Sequence, residues 1–476
     1  MLRPIACLGV LLVSALAARA GTAPTSCTSC DFVAGKGRIL YATAATPGRV
    51  DSFCVDPNGR LRPSSHDSIT GLDSPRRLLV DQQNHRLYVA EKNAVDAFEI
   101  KPGGALVQLW HFPSGKNFDT KAFRNTSLDL QDLALASDCA SLYVPSKHPG
   151  RILALTDLGT APPTISSCAQ GPNKPGYRNL MTDGDVLYST GAGSIGRVDA
   201  FRLGPGGTLA GTWSDVDGGD CRPSTTKCPG GSKCTACGAT SQKACPAECG
   251  HPICPIPRPP VTTPDSTRRK LAKPVAFQLF DSPPGAEGDR FLYVAERGRK
   301  QLLGFRLRPD GLFDDVIRDG SEPQKPFTRL RTPVVYLDMV ARRSDDPSQI
   351  APTLVGSQFN DGILDSFALA PADDPSVAPG ECHVADGTPQ PSVCLPEHPK
   401  SSTGKDLRLS PVRMLLCRNQ GGDDWLYVAT GIRDRIQAME LSKTGRIATE
   451  TLDEVEQSKG SFPNDVAIAV LDESCQ

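Results

Sequence analysis

Two short patterns of alternating apolar and polar residues recur together along the chain. The first is a Leu-Tyr segment, present at residues 40–42, 87–89, 142–144, 187–189, 292–294 and 426–428, with a degenerate copy at 353–355. The second pattern follows each first one and reads apolar-x-small-large, at residues 50–53, 95–98, 152–155, 198–201, 302–305, 364–367 and 436–439. A period of two predicts β-strands, and seven copies of each pattern predict seven repeated units.

Two further features complete the repeat. In five units the second strand leads into a glycine-containing turn of constant length, which is typical of a β-hairpin. These turns lie at residues 55–61, 100–106, 203–209, 307–313 and 441–447. A short inner strand precedes every Leu-Tyr segment except the first, and the chain ends on such a strand, residues 462–472. A circular array accounts for both ends, because the last strand then completes the first unit. We therefore predict an all-β fold, a seven-bladed β-propeller over residues 37–476; the alternatives are paired β-sandwiches or an open β-solenoid.

The Leu-Tyr-Val strands, the Val-Asp-Ala-Phe strands and the Pro-x-Gly turns resemble those of the YVTN-repeat and lactonase-type seven-bladed β-propellers. The resemblance covers roughly residues 36–472 apart from insertions, and it implies the propeller fold. It implies several alternative activities, because the group includes sugar-lactone hydrolases, muconate-lactone cycloisomerases and surface proteins. Lactonase-type members often carry a histidine after Pro-Arg at the start of an inner strand, whereas this chain has Arg77 after Pro75 and Arg76. That departure argues against lactone chemistry.

The segments outside the repeats predict export. Residues 1–20 have one early arginine, a short apolar run and a small-x-small cleavage site, which is typical of a cleavable signal peptide. The run is too short to span a bilayer, so we expect a secreted or periplasmic protein with no membrane span. A Cys-containing segment, residues 21–36, follows the signal. Two insertions, residues 215–273 (rich in Cys, Pro and Gly) and 371–410, are expected to overhang the channel entrance.

All but one of the 17 cysteines lie beyond the signal peptide, and in an exported chain disulfide bonds are the expected state. The candidate pairs are Cys139 with Cys168, Cys382 with Cys394, and Cys475 with Cys27 or Cys30. Two alternatives remain for the CxxC sequences. One is a zinc site built from Cys234, Cys237, Cys245 and Cys249, and the other is thiol exchange.

The first residue of each inner strand is expected to face the central channel. These residues are Arg77, Asp132, Asn179, Ala276, Asp338, Arg413 and Asp465, and the neighbouring loops add Glu91, Lys92, Lys147, His148, Glu296, Arg297, Gln358, Asn360 and Arg433. We predict a ligand-binding site at the channel mouth formed by Arg77, Asp132, Asn179, Asp338, Arg413, Asp465, Glu91 and Glu296. The first alternative is an ion-pair network in which the aspartates also accept hydrogen bonds from the backbone. The second is a calcium site made of their oxygen atoms.

Composition narrows the function further. A net charge of −1 gives no reason to expect a nucleic-acid partner. The seven histidines form no HxH or HExxH arrangement, so we predict no transition metal and no cofactor, with calcium as the alternative. The sequence predicts a monomeric, exported protein that binds a small molecule or a protein partner. The alternatives are a lactonase-like hydrolase using the carboxylates and arginines of the ring, and a quinone- or metal-dependent oxidoreductase; no catalytic residue is assigned.

Overall fold

The regular structure of the chain is almost entirely β-strand. A computed structural model describes residues 27–475 with gaps; 1–26, 113–128, 216–270, 314–327, 343–352, 369–410 and shorter stretches of eight residues or fewer lie outside the described part. The first strands are β1 (Gly37–Ala44), β2 (Arg49–Val55), β3 (Leu61–Pro63), β4 (Ile69–Thr70), β5 (Arg77–Asp81), β6 (Arg86–Ala90), β7 (Val95–Ile100), β8 (Leu106–Phe112), β9 (Ala134–Leu135), β10 (Leu142–Ser146), β11 (Arg151–Thr156), β12 (Thr164–Gln170), β13 (Tyr177–Asp183) and β14 (Val186–Gly191). The remaining strands are β15 (Arg197–Arg202), β16 (Trp213–Asp215), β17 (Pro274–Asp281), β18 (Arg290–Glu296), β19 (Gln301–Leu307), β20 (Thr328–Arg331), β21 (Tyr336–Arg342), β22 (Thr353–Gln358), β23 (Ile363–Ala368), β24 (Pro411–Cys417), β25 (Asp424–Thr430), β26 (Arg435–Leu441), β27 (Ile447–Glu456) and β28 (Val466–Leu471).

These strands form antiparallel sheets in chain order. Sheet 1 has the order β28-β1-β2-β3, with β4 also paired to β2; sheets 2 to 5 are β5–β8, β9–β12, β13–β16 and β17–β20; sheet 6 is β21–β23 and sheet 7 is β24–β27. The Leu-Tyr segments occupy the second strand of each sheet and the apolar-x-small-large segments occupy the third. The two patterns that follow one another along the sequence are therefore neighbouring strands of one sheet.

The sheets close into a ring, and the ring is a β-propeller. The C-terminal strand β28 pairs with β1, so that Leu40 lies opposite Ile468 and Ala42 lies opposite Val466. The first strand of each sheet contacts the first strand of the next sheet, and β24 of sheet 7 contacts β28 of sheet 1. Apolar clusters fill each space between neighbouring sheets. Both faces of the strands are therefore buried.

The number of complete blades differs from the prediction. Six sheets have at least four strands, whereas sheet 6 has three strands among the described residues. Six complete blades are therefore present where seven were predicted. The difference arises after β23, because residues 369–410 lie outside the described part of the chain. A count of seven blades stays a prediction.

In sheets 1, 3, 4 and 7 the repeated tyrosine joins its sheet to the turn of the next one. The phenol hydroxyl donates a hydrogen bond to a glycine carbonyl in the pairs Tyr41 to Gly104, Tyr143 to Gly207, Tyr188 to Gly311 and Tyr427 to Gly59. Each phenol is buried and needs such a partner. The turn glycine lies tightly against the neighbouring sheet: at Gly59, with φ at +77°, a Cβ atom would lie 2.1 Å from the Trp425 ring. The Leu-Tyr strand and the glycine turn therefore recur together because they contact each other across sheets.

Three disulfide bonds link distant parts of the ring, with partners that correct the predicted pairs. Cys27 bonds to Cys139 and Cys30 bonds to Cys417, while Cys475 bonds to Cys54 in β2. The pair of Cys139 with Cys168 was wrong because the turn after β9 and the strand β12 lie at opposite edges of sheet 3. Three strand spacings of about 4.8 Å exceed the reach of a disulfide.

The N-terminal segment lies at the ends of the inner strands. Cys139 is in the turn after β9 and Cys417 ends β24, so both bridges lie on the face opposite the strand starts. The backbone carbonyl of Cys27 also accepts a hydrogen bond from the N–H of Gln82, after β5, and Phe32 forms a bridge with Asn419. Residues 27–32 therefore tie sheets 2, 3 and 7 together on this face.

Several sequence predictions fall outside the described residues. They are the signal peptide 1–20, most of the insertion 215–273 with Cys234, Cys237, Cys245 and Cys249, and the insertion 371–410 with Cys382 and Cys394. The side chain of Cys168 is also outside the described part. Within the described residues, no helix has the length and apolar character needed to cross a membrane.

Candidate functional site

The charged residues at the starts of the inner strands come together around the ring axis. Each aspartate of this ring accepts a hydrogen bond from the inner strand of the sheet ahead of it. Asp465 accepts from the backbone N–H of Leu78 at 2.6 Å, Asp132 from that of Leu180 at 2.8 Å, and Asp338 from that of Met414 at 2.7 Å. In every case the donor is the residue immediately after the ring position of the next sheet. The aspartates therefore fasten neighbouring sheets to each other.

The two arginines complete the network. Arg77 lies between two carboxylates, with its Nη1 3.0 Å from Asp465 and its Nε 2.7 Å from Asp132. Arg413 lies 3.0 Å from Asp338 through Nη1, and its Nη2 lies 3.8 Å from Asp132. Sheets 7 and 3 are not neighbours in the ring, so Arg413 reaches across the axis. The side chains of one sheet thus connect to those of a distant one.

Burial and ion pairing together shift the pKa values of the charged groups in the ring. Desolvation raises the pKa of Asp465 to about 6, because it outweighs the opposing effect of Arg77 and Arg413. Burial alone would lower the pKa of Arg77, but the carboxylates of Asp132 and Asp465 outweigh burial and raise that pKa above its usual value. Three carboxyl groups thus share two guanidinium groups. This pairing corresponds to the ion-pair alternative, and it disfavours calcium because each carboxylate already has a cationic partner.

Solvent reaches the arginines of this network more than the acids. The exposed fraction of the side chain is 23% for Arg77 and 15% for Arg413, against 11% for Asp338 and 1–2% for Asp465 and Asp132. Asn179 is half-buried and donates its amide to the carbonyl of Val275 in sheet 5. Ala276 is buried and brings no charge. The guanidinium group of Arg77 is therefore the most exposed charged group of the network.

The two predicted glutamates lie outside this network of ion pairs. Glu91 follows β6, is buried, and accepts a hydrogen bond from the backbone N–H of Asp73, in the loop that leads to Arg77. Glu296 ends β18, is also buried, and accepts from the side-chain amide of Gln301. Burial, followed by contact with Asp96, raises the pKa of Glu91 to about 8. Each glutamate therefore belongs to a local contact within its own sheet.

Two residues near Glu91 were not among the predicted site residues. Asp96 recurs in the second pattern at the same position as Asp51 and Asp199, and His111 belongs to no motif. In the structure the Nδ1 atom of His111 lies 2.9 Å from Asp96, and Glu91 lies beside both. No sequence motif marks this group; the pairing of β7 with β8 in the structure places Asp96 opposite His111.

The remaining predicted loop residues add little to the site. Lys92 and Arg297 are exposed. Lys147, His148, Asn360 and Arg433, and the side chain of Gln358, lie outside the described residues.

Comparison with known proteins identifies the fold. No family model matches the chain, and no curated protein matches its sequence. Among solved structures, a putative 6-phosphogluconolactonase from Bacteroides fragilis is similar, with a TM-score of 0.54, 14% identity, and coverage of 92% of this chain and 98% of that one. A protein from Lactobacillus plantarum has a TM-score of 0.53 at 14% identity (91% and 99% coverage). The periplasmic gluconolactonase of Pseudomonas aeruginosa has a TM-score of 0.51 at 14% identity (91% and 99% coverage). At these identities the comparisons establish the β-propeller fold alone.

Proposed function

We propose that the chain is an exported β-propeller that binds a small carboxylate-bearing ligand at the channel mouth. The observation that carries this proposal is the exposure of the charged side chains in the ring: Arg77 is the most exposed at 23%, followed by Arg413 at 15% and Asp338 at 11%, whereas Asp465 and Asp132 are 1–2% exposed. Guanidinium groups recognise carboxylates through paired hydrogen bonds. Three disulfides support export, because such bonds persist in oxidising compartments. Seven blades are part of the proposal, since each sheet carries one copy of both repeats.

Calorimetric titration tests the binding proposal. The purified oxidised protein is titrated with D-gluconate and, as a neutral match, with sorbitol. Binding of gluconate alone is expected, and Arg413→Gln should weaken it at least about tenfold, because a lost charge-assisted hydrogen bond costs about 1.5–3 kcal/mol. Arg62→Gln is the control, because Arg62 is exposed and pairs with Asp56 away from the mouth. The wild type is also titrated with galactarate and citrate. Equal affinity of the two variants for gluconate, or no binding of any of the three carboxylates by the wild type, would refute the proposal.

A second candidate is a lactonase-like hydrolase. It is favoured by the raised pKa of Asp465, about 6, because a general base works best with a pKa near the working pH. Two structures of similar fold, a putative 6-phosphogluconolactonase and a gluconolactonase, also support it. The test is hydrolysis of D-glucono-1,5-lactone above the uncatalysed rate by the wild type and by Asp465→Asn. Hydrolysis that disappears in the variant would favour this candidate over binding alone.

A further inference from the structure

Three side chains with metal-binding atoms meet on sheet 2, apart from the ring of charges. Glu91, Asp96 and His111 each offer one donor atom, and these atoms all lie within 4.8 Å of one another. Glu91 and Asp96 are only 3% and 1% exposed, whereas the side chain of His111 is 50% exposed. The group therefore has a buried side made of carboxylates and an open side made of imidazole.

Strand pairing holds the three residues on one face. Asp96 in β7 lies opposite Val89 in β6 and opposite His111 in β8. Glu91 is the first residue after β6, and its carboxylate lies within 4.8 Å of the donor atoms of Asp96 and His111. Donors from three adjacent chain segments are thus placed together by the backbone. The side-chain amide of Gln108, also from β8, donates to Asp96 at 2.9 Å and fixes its orientation.

Comparison with the other sheets indicates that this group differs from its repeats. Glu296 occupies the place of Glu91 in sheet 5, where the amide of Gln301 donates to it. The aspartates equivalent to Asp96 have donors of their own, namely Arg49 and Ser68 for Asp51 and the hydroxyl of Tyr177 for Asp199. Asp96 has a donor in Gln108 as well, so the distinguishing feature of sheet 2 is the second carboxyl group beside it.

In sheet 2, by contrast, two buried carboxyl groups face each other. Among the described residues, no lysine or arginine pairs with Glu91 or Asp96. Two adjacent carboxylates out of water need a cation between them or a shared proton. The half-exposed imidazole of His111 is a metal-binding donor at the open side of this pair.

We propose that Glu91, Asp96 and His111 bind a divalent transition metal of the zinc class. Two carboxylate oxygens with one imidazole nitrogen suit Zn²⁺ better than Ca²⁺, because imidazole is not a ligand that calcium prefers. The exposure of His111 gives the ion a route from solvent and leaves coordination positions open to water or a ligand, as in zinc sites with three protein ligands. Gln108 acts as the outer partner that orients Asp96. This proposal does not depend on the carboxylate binding proposed at the mouth.

Metal titration of the oxidised full chain tests the site. Free thiols are first alkylated, because the cysteines of residues 215–273 could bind metal themselves. The chelator-treated protein is then titrated with Zn²⁺ by calorimetry and with Co²⁺ by absorption spectroscopy. One site without a thiolate charge-transfer band is expected. Glu91→Gln and His111→Ala should each weaken it at least about tenfold, as expected for loss of one ligand among three.

A matched histidine variant provides the control. His66→Ala removes a half-buried histidine that bonds to the carbonyl of Gly103 and should leave metal affinity unchanged. Thermal melts of each variant with and without Zn²⁺ give a second readout, in which Zn²⁺ should raise the melting temperature of wild type and His66→Ala but not of His111→Ala. Equal affinity in all variants would place the metal elsewhere. Absence of Zn²⁺ and Co²⁺ binding by the wild type would mean that the carboxyl pair holds a proton only. Either result overturns the proposal.

Discussion

The buried carboxyl group of Asp465 makes a testable link between pH and stability. Its pKa in the folded protein is about 6 against an ordinary value of 3.8. The folded state therefore holds this proton more tightly than the unfolded state does. Its contribution to stability is fully present below about pH 4 and is lost as the pH rises through 6. A difference of about 2 pKa units corresponds to about 3 kcal/mol at 1.36 kcal/mol per unit.

Asp465→Asn removes the titration while keeping most of the contacts. The asparagine oxygen can still accept from the N–H of Leu78, and Arg77 keeps Asp132 at 2.7 Å. The unfolding free energies of wild type and variant should therefore diverge with pH. Relative to wild type, the variant should gain about 2–3 kcal/mol between pH 4 and pH 7.5.

Urea unfolding followed by tryptophan fluorescence measures this difference, because Trp110 and Trp425 are buried. Asp67→Asn makes the same chemical change at an exposed position and serves as the control. A difference between wild type and Asp465→Asn that stays constant from pH 4 to pH 7.5 would refute the reasoning, since it would mean that the folded and unfolded states bind this proton equally.

Three further predictions concern the contacts that hold the sheets together. Replacing both Cys30 and Cys417 by serine removes a bridge between residues 387 positions apart and should lower the urea-derived unfolding free energy by about 2–5 kcal/mol; unchanged stability would contradict a stabilising bridge. Tyr427→Phe removes the hydrogen bond to Gly59 and should cost about 1 kcal/mol in the same assay, whereas no loss would show that the bond contributes nothing. Gly59→Ala should lower the unfolding free energy by about 2 kcal/mol more than Gly71→Ala does. Both glycines have positive φ, but only at Gly59 would the added Cβ atom meet a neighbouring ring, that of Trp425; equal losses of unfolding free energy would exclude the clash.

The repeating part of the fold could be predicted because it is local. The Leu-Tyr strand and the strand that follows it pair with each other through short turns, so their alternation marks the same sheet each time. The ring of first residues, such as Arg77 and Asp465, followed from the same alignment. What remained open was whether their charges serve a ligand or one another, because alignment gives positions and not hydrogen-bond partners.

The disulfides and the group on sheet 2 could not be predicted in this way. The partners of Cys27 and Cys139 are 112 residues apart and come from the N-terminal segment and a turn, neither of which belongs to the repeat. Glu91, Asp96 and His111 look unremarkable one at a time. They become a group only when the pairing of β6, β7 and β8 is known, which fixes the face on which each side chain lies.

The hydrogen bonds of the ring carboxylates bear on the choice between binding and hydrolysis. A general base needs a lone pair within reach of water or substrate. In Asp465, one oxygen bonds to Arg77 and the other accepts from Leu78, and Asp338 is engaged in the same way by Arg413 and Met414. Proton transfer at either acid would first have to break a contact between sheets. The hydrogen bonds of the ring therefore weigh against acid–base catalysis at Asp465 and Asp338.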